Sequence, residues 1–161
     1  MSTSFYLPSD KETLGVLSML YGDDIQVAKD DEDSIAIENS ELYGLYVDPE
    51  GKPVAVCLCD TPFAAYAGAA LSMLPPGGAE DAAESGDISA TMKENVYEVM
   101  NICSRLLMSD DTPHLKLEKM YNNLSELSEE AVEMMKSAGG SSHFGIDIPN
   151  YGKGRLSLVT T

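Results

Sequence analysis

The run "ELYGLYVDPEGKPVAVCLCD", residues 41–60, limits the possible folds of this chain more than any other stretch. Two β-prone segments flank Asp48, Pro49 and Gly51, residue types that close a tight connection, so the run predicts two adjacent antiparallel strands. The remaining elements are placed around that hairpin. Ser9 or Asp10 caps a first helix through about Tyr21, with Leu14, Leu17, Leu20 and Tyr21 as its apolar stripe and Gly22 at its end. "DDIQVAKDDEDSIAIE" holds two short alternating runs about an acidic turn. Thr61 and Pro62 cap and open a second helix, "FAAYAGAALSML", which Pro75 and Pro76 stop.

"PPGGAEDAAESGD" offers little apolar area and reads as a surface loop, after which Asp87 caps a long helix from Ile88 to about Met108. A strand follows in "HLKLEKMY", then a short helix in "SEEAVEMMKSA" closed by Gly139. A final hairpin, "SSHFGIDIPNYGKGRLSLVTT", turns at Asn150 to Gly154. Each half of the chain thus runs helix, strand, hairpin, a repeat of elements without a repeat of sequence. Hairpin-paired strands with helices between the sets define an α+β fold, an antiparallel β-sheet with long helices packed on it, and residues 1–161 are expected to form a single domain.

Charge and motifs remove several classes of function. With 27 acidic and 10 basic residues the chain carries a formal −17, which repels phosphate backbones and anionic head groups, so nucleic acid is excluded as a partner. No stretch of about 18 uninterrupted apolar residues and no basic, then apolar, leader is present, so membrane insertion is not expected and a cytoplasmic location is. Cys57 and Cys59 lack the CxxC spacing of zinc or redox sites and, with Cys103, read as reduced core thiols. His114 and His143 stand alone, without HExxH spacing, so no metal or cofactor of its own is expected. "NYGKG" is a hairpin turn rather than a phosphate loop, because no helix follows it.

The long helix carries the one pattern with chemical content. At about 100° per residue, Glu94, Glu98, Asn101 and Arg105 fall in one narrow arc, opposite an apolar face of Met92, Val96, Val99, Met100, Cys103, Leu106 and Leu107. A solvated face of an amphipathic helix accounts for Glu, Asn and Arg at these spacings, as weak surface pairs. Asn101 fits that account least well, because Asn costs several tenths of a kcal/mol against Ala inside a helix.

"GLYVDPEGKPVAVCLCDTPFAAYAGAALSML" followed by an acidic gap and "SATMKENVYEVMNICSRLL" resembles the CheC, CheX and FliY family of chemotaxis phosphatases. There a strand hairpin leads into a helix of small residues, and the next long helix carries E-x-x-N, which here is Glu98, Val99, Met100 and Asn101. In the first helix the same spacing from Glu12 reaches Gly15, so the likeness is to single-site CheX rather than to two-site members. The resemblance implies a CheX-like fold, homodimerisation through the sheets and hydrolysis of the aspartyl-phosphate on a CheY-like response-regulator receiver domain. It makes Asn101 the residue that holds an in-line water and Glu98 the residue that engages the receiver's lysine, with Glu94 and Arg105 as partner contacts. The receiver would bring the metal ion, the lysine and the phosphorylated aspartate, which is why so sparse a site suffices.

The sequence departs from the family pattern at three places: Glu94 stands where Asp or Ser is common, Arg105 where a small Gly is common, and the proline expected about twenty residues beyond Asn101 is missing from "YNNLSE". Arg105, one turn from Asn101, has the reach to pair with Glu98, to fill the space meant for the receiver or to meet the phosphate. Two further readings therefore stand beside the phosphatase: a catalytically silent receiver- or flagellar-switch-binding module on the same fold, and a small acidic secretion chaperone, which would expose a large apolar surface.

Overall fold

The computed structural model describes residues 7–29, 40–110, 112–137 and 139–161. The second half of "DDIQVAKDDEDSIAIE" lies outside the described residues. In chain order the elements are α1 (Asp10–Tyr21), β1 (Gln26–Lys29), β2 (Leu42–Val47), β3 (Pro53–Cys59), α2 (Thr61–Leu71), α3 (Pro76–Ser85), α4 (Ala90–Cys103), β4 (Lys116–Tyr121), α5 (Glu129–Lys136), β5 (Gly140–Ile148) and β6 (Gly152–Thr160).

Local chemistry sets most of these limits. Ser9 caps α1 through a full capping box with Glu12, and Gly22 follows its last turn at φ 92°. In the β2–β3 turn Asp48 Oδ1 accepts from the amides of Glu50 and Lys52, each at 2.9 Å, while Gly51 supplies φ 83°. The second hairpin turns tighter than the sequence suggests: β6 already begins at Gly152, and residues 149–151 make the connection, with Asn150 at φ 70°. The amide of Asn is tolerated at positive φ, so the turn needs no second glycine.

The hairpins meet at the centre of one antiparallel sheet ordered β1-β5-β6-β3-β2-β4 among the described residues, with Cys57 of β3 opposite Leu158 of β6. The predicted repeat of elements is visible in that order. Read from either end, it runs lone strand, outer hairpin strand, inner hairpin strand. Each half's lone strand is exchanged: β1 borders the β5–β6 hairpin, and β4 borders β2.

Helices α1 to α4 cover one sheet face. Leu42, Tyr46, Cys57, Phe144, Ile146 and Leu158 meet Leu17, Phe63, Val96, Val99 and Met100 there. Burying such a side chain fully stabilises by about 1.5–3 kcal/mol. On the other face Tyr43, Leu45, Val56, Leu58 and Val159 pack with Leu127, Ala131 and Met135, so β2 and β3 are buried on both sides.

Four sequence expectations are corrected. "PPGGAEDAAESGD" is not a loop: Pro76 opens α3, Gly86 ends it in the left-handed region, and Ala79 and Ala82, three apart, are buried. Alanine has the highest helix propensity and lets helices approach closely, so the segment needs little apolar area of its own. Asp60, not Thr61, caps α2, its Oδ1 accepting from Phe63 N at 2.9 Å and from Arg155 N at 3.0 Å; a carboxylate that bonds both the helix and β6 outcompetes the hydroxyl. Burial nevertheless pushes the Asp60 carboxyl above its ordinary range, against the pull of those two amides. Ser89 rather than Asp87 caps the long helix, accepting from Met92 N at 3.2 Å, and Ser137 rather than Gly139 ends α5. At Gly139 the amide instead donates to the Thr160 carbonyl at 3.0 Å, committing that glycine to the sheet.

Candidate functional site

Helix α4 presents the predicted ridge. Glu94, Glu98, Asn101 and Arg105 are all exposed, while Met92, Val96, Val99, Met100 and Cys103 below them are buried. Neither Glu98 nor Asn101 has a side-chain hydrogen bond or ion pair among the described residues. The carboxylate and the amide therefore stand one turn apart with their bonding capacity unspent.

The long helix is shorter than the sequence suggests. Its α-helical part ends at Cys103, and Ser104–Leu107 continue as a 3-10 turn. Two contacts produce the change: Ser104 Oγ donates to the Asn101 carbonyl at 2.7 Å, and the buried Tyr46 hydroxyl donates to the Met100 carbonyl. A carbonyl engaged from the sheet or by the residue three positions on no longer needs its i+4 amide, and tightening follows. Arg105 thus leaves the predicted line by roughly 40°, at about 120° per residue in the tighter winding. It makes no ion pair among the described residues, so the feared pairing with Glu98 is not formed.

Beneath the ridge the packing is tight enough to fix its position. A Cβ at Gly68 of α2 would stand 2.7 Å from the Met92 carbonyl oxygen, so the helix backbones touch there. A Cβ at Gly44 of β2 would stand 2.6 Å from Met100 Sδ. The three thiols are buried and free, as predicted, and burial pushes Cys103 up to about 12. Burial, aided by the neighbouring thiols, also raises Tyr46, which stays a neutral donor beneath Asn101.

Two features escaped sequence reasoning. Asn95 Nδ2 donates to the Gly68 carbonyl and to Ser72 Oγ, both at 2.7 Å, which binds α4 to the end of α2. The same low helix propensity that singled out Asn101 was there to be read at Asn95. Of two mid-helix asparagines, then, one serves the fold and the other has no partner among the described residues. The second missed feature is an open groove of about 540 Å³ beside the ridge, bordered by Lys93, Glu94, Asn95, Tyr97 and Glu98 of α4 and by Lys119 and Met120 of β4. No sequence signal joins α4 to β4 across that gap.

Among the described residues no cluster of three His, Cys, Asp or Glu side chains is placed to hold a metal ion, and no helix is long and apolar enough to cross a membrane.

Fold and ridge together define an α+β protein with an accessible carboxylate–amide pair on a helix braced against a six-stranded sheet. No protein-family model and no curated protein matches the chain. Solved structures do. A FliM–SpeE complex from H. pylori matches with a TM-score of 0.60 at 6% identity, over 94% of this chain and 80% of that one. A CheX-CheY-BeF3-Mg2+ complex from Borrelia burgdorferi matches with a TM-score of 0.57 at 9% identity, over 94% and 97%. FliY from Thermotoga maritima gives 0.54 at 12%, over 92% and 82%. The chain has the fold shared by CheX and the FliM middle domains, and at these identities the likeness speaks for the fold alone.

Proposed function

We propose that this protein is a chemotaxis or two-component signalling protein that docks α4 on a phosphorylated, CheY-like receiver domain and hastens loss of its phosphoryl group. The observation that carries the reading is the exposed Glu98–Asn101 pair, unpartnered among the described residues, on a rigidly held helix. Phosphoryl transfer asks chiefly for positioning and charge stabilisation. The Asn101 amide can do this by accepting from and donating to a water, holding it in line with the acyl phosphate. Glu98 accepts a hydrogen bond from a partner ammonium group and fixes the approach. The metal ion belongs to the receiver, and this chain needs none for its part.

The test is the lifetime of phosphate on purified receiver domains from the same organism, with and without the protein. Asn101→Ala should reduce stimulated dephosphorylation by about a hundredfold without lowering the melting temperature, since the amide bonds nothing among the described residues and alanine is the better helix former. Undiminished stimulation by the variant would remove Asn101 from the site.

A second reading, a silent receiver- or switch-binding module, draws on Arg105, which stands exposed just beyond the ridge where the resembled family has a small residue. It predicts equal binding to phosphorylated and unphosphorylated receiver and no change in phosphate lifetime.

A further inference from the structure

A water held in line requires an amide held in direction, and a side chain leaves its helix along the Cα–Cβ bond that the two flanking peptide groups set. At Asn101 both of those groups are bonded from outside the helical ladder. The carbonyl before it, that of Met100, accepts from the Tyr46 hydroxyl, and the carbonyl of Asn101 itself accepts from Ser104 Oγ at 2.7 Å. The Ser104 amide, which an unbroken α-helix would give to Met100, goes to the Asn101 and Ile102 carbonyls instead. Glu98, one turn earlier, lies inside the α-helical part.

The bond from Tyr46 comes out of the interior of the sheet. β2 is paired on both edges, with β3 and with β4, and all six of its residues are buried. Pairing is irregular on either side of Tyr46: β3 fits an extra residue between the pairs Tyr46–Ala55 and Val47–Pro53, and β4 fits one between Leu45–Lys119 and Tyr46–Leu117. Extra residues of this kind sharpen the local twist and re-aim side chains. Two residues before Tyr46, on the same face of β2, Gly44 receives the Met100 side chain, as the 2.6 Å approach of a Cβ there to Sδ shows. β2 thus holds Met100 both by its side chain and by its carbonyl.

We infer that Tyr46 and Ser104 are positioning residues for the proposed dephosphorylation: by bonding the carbonyls on either side of the Asn101 Cα, they fix the line along which its amide meets the water. The inference rests on the receiver reading above and adds to it the part of the fold that aims the amide. Without the Tyr46 hydroxyl the Met100 carbonyl is free to take back the Ser104 amide, the helix end relaxes toward α-winding, and Asn101 turns with it. Both positioning residues are buried, so neither reaches a partner, and binding is not their task.

The experiment measures stimulated dephosphorylation over a range of phosphorylated receiver, giving kcat and KM separately at matched folded fractions. Binding is measured on the receiver held in its activated form by beryllofluoride and Mg2+. Tyr46→Phe should lower kcat about tenfold, and Ser104→Ala, which keeps the backbone bond to the Asn101 carbonyl, about threefold, with KM and the dissociation constant unchanged. Added to Asn101→Ala, neither change should lower the residual rate further, since both act through the amide. If both single variants keep the wild-type kcat while Asn101→Ala is inactive, the positioning role is wrong and the receiver reading stands. The same conclusion follows if they slow the Asn101→Ala protein as much as the wild type, which marks a general loss of structure. A wild type that stimulates no receiver of its organism overturns both. Should Tyr46→Phe not fold, Ser104→Ala decides alone.

Discussion

Helices α1 and α4 occupy corresponding places in the two halves of the chain, yet they spend the same residues differently. Both start from a serine cap, and both are tied to α2, α1 by the Tyr21 hydroxyl donating to the Ala67 carbonyl at 2.9 Å and α4 by Asn95 donating to the next carbonyl, that of Gly68. In α1 the glutamate of the pair is consumed: Glu12 Oε1 accepts from the Ser9 amide at 3.2 Å and the Ser9 hydroxyl at 3.1 Å. Three residues on stands Gly15, with open space about it and no amide to offer. In α4 the cap needs Ser89 alone, and the carboxylate and amide of Glu98 and Asn101 remain available to another molecule. A functional pair on such a helix therefore depends on which groups the cap and the packing leave unused, and spacing alone does not show that.

That contrast can be attacked by moving the amide. Asn101→Ala combined with Gly15→Asn should lose about a hundredfold of the stimulated dephosphorylation and regain none of it, because Glu12 is occupied by its cap. Recovery of activity in the double variant would make the two helices equivalent. Gly68→Ala forces a methyl group against the Met92 backbone and should cost about 1–3 kcal/mol in denaturant unfolding. Since it displaces α4 more than α1, activity should fall further than stability requires.

A milder pair of changes sharpens the comparison. Tyr21→Phe removes one bond to α2 and Asn95→Ala both of its bonds to the end of α2, at about 1 kcal/mol per bond, but only Asn95→Ala should also lower phosphatase stimulation, measured at matched folded fractions. The smallest effect is reciprocal. Glu12→Ala should lower stability by somewhat under 1 kcal/mol through loss of half the capping box, with activity intact. Glu98→Ala should leave the melting curve in place and weaken receiver binding instead.

Much of this was legible in the chain. The 48–51 turn residues, the β-prone runs of β2 and β3 and the stripes of α1 and α4 are local patterns, and local sterics and hydrogen bonding dictate them. Glu98 and Asn101 could be read as exposed because the apolar residues of α4 leave one face over. The caps at Asp60 and Ser89 were misplaced by one or two residues, since neighbouring polar residues compete for the same orphan amides and only the surrounding packing chooses. Helix α3 was misread because alanine's worth depends on whether another backbone comes close enough to cover it.

The sequence by itself determined the elements other than α3, their hairpin pairing and the polar ridge, all consequences of forces acting over a few residues. Tertiary structure alone decided that β1 and β4 exchange sides and that Tyr46 and Ser104 tighten the end of α4. It also decided that Asn95 is used internally while Asn101 is not, and that a groove opens between α4 and β4. Those outcomes depend on contacts between residues far apart in the chain, where close packing selects one arrangement among many that the local pattern allows.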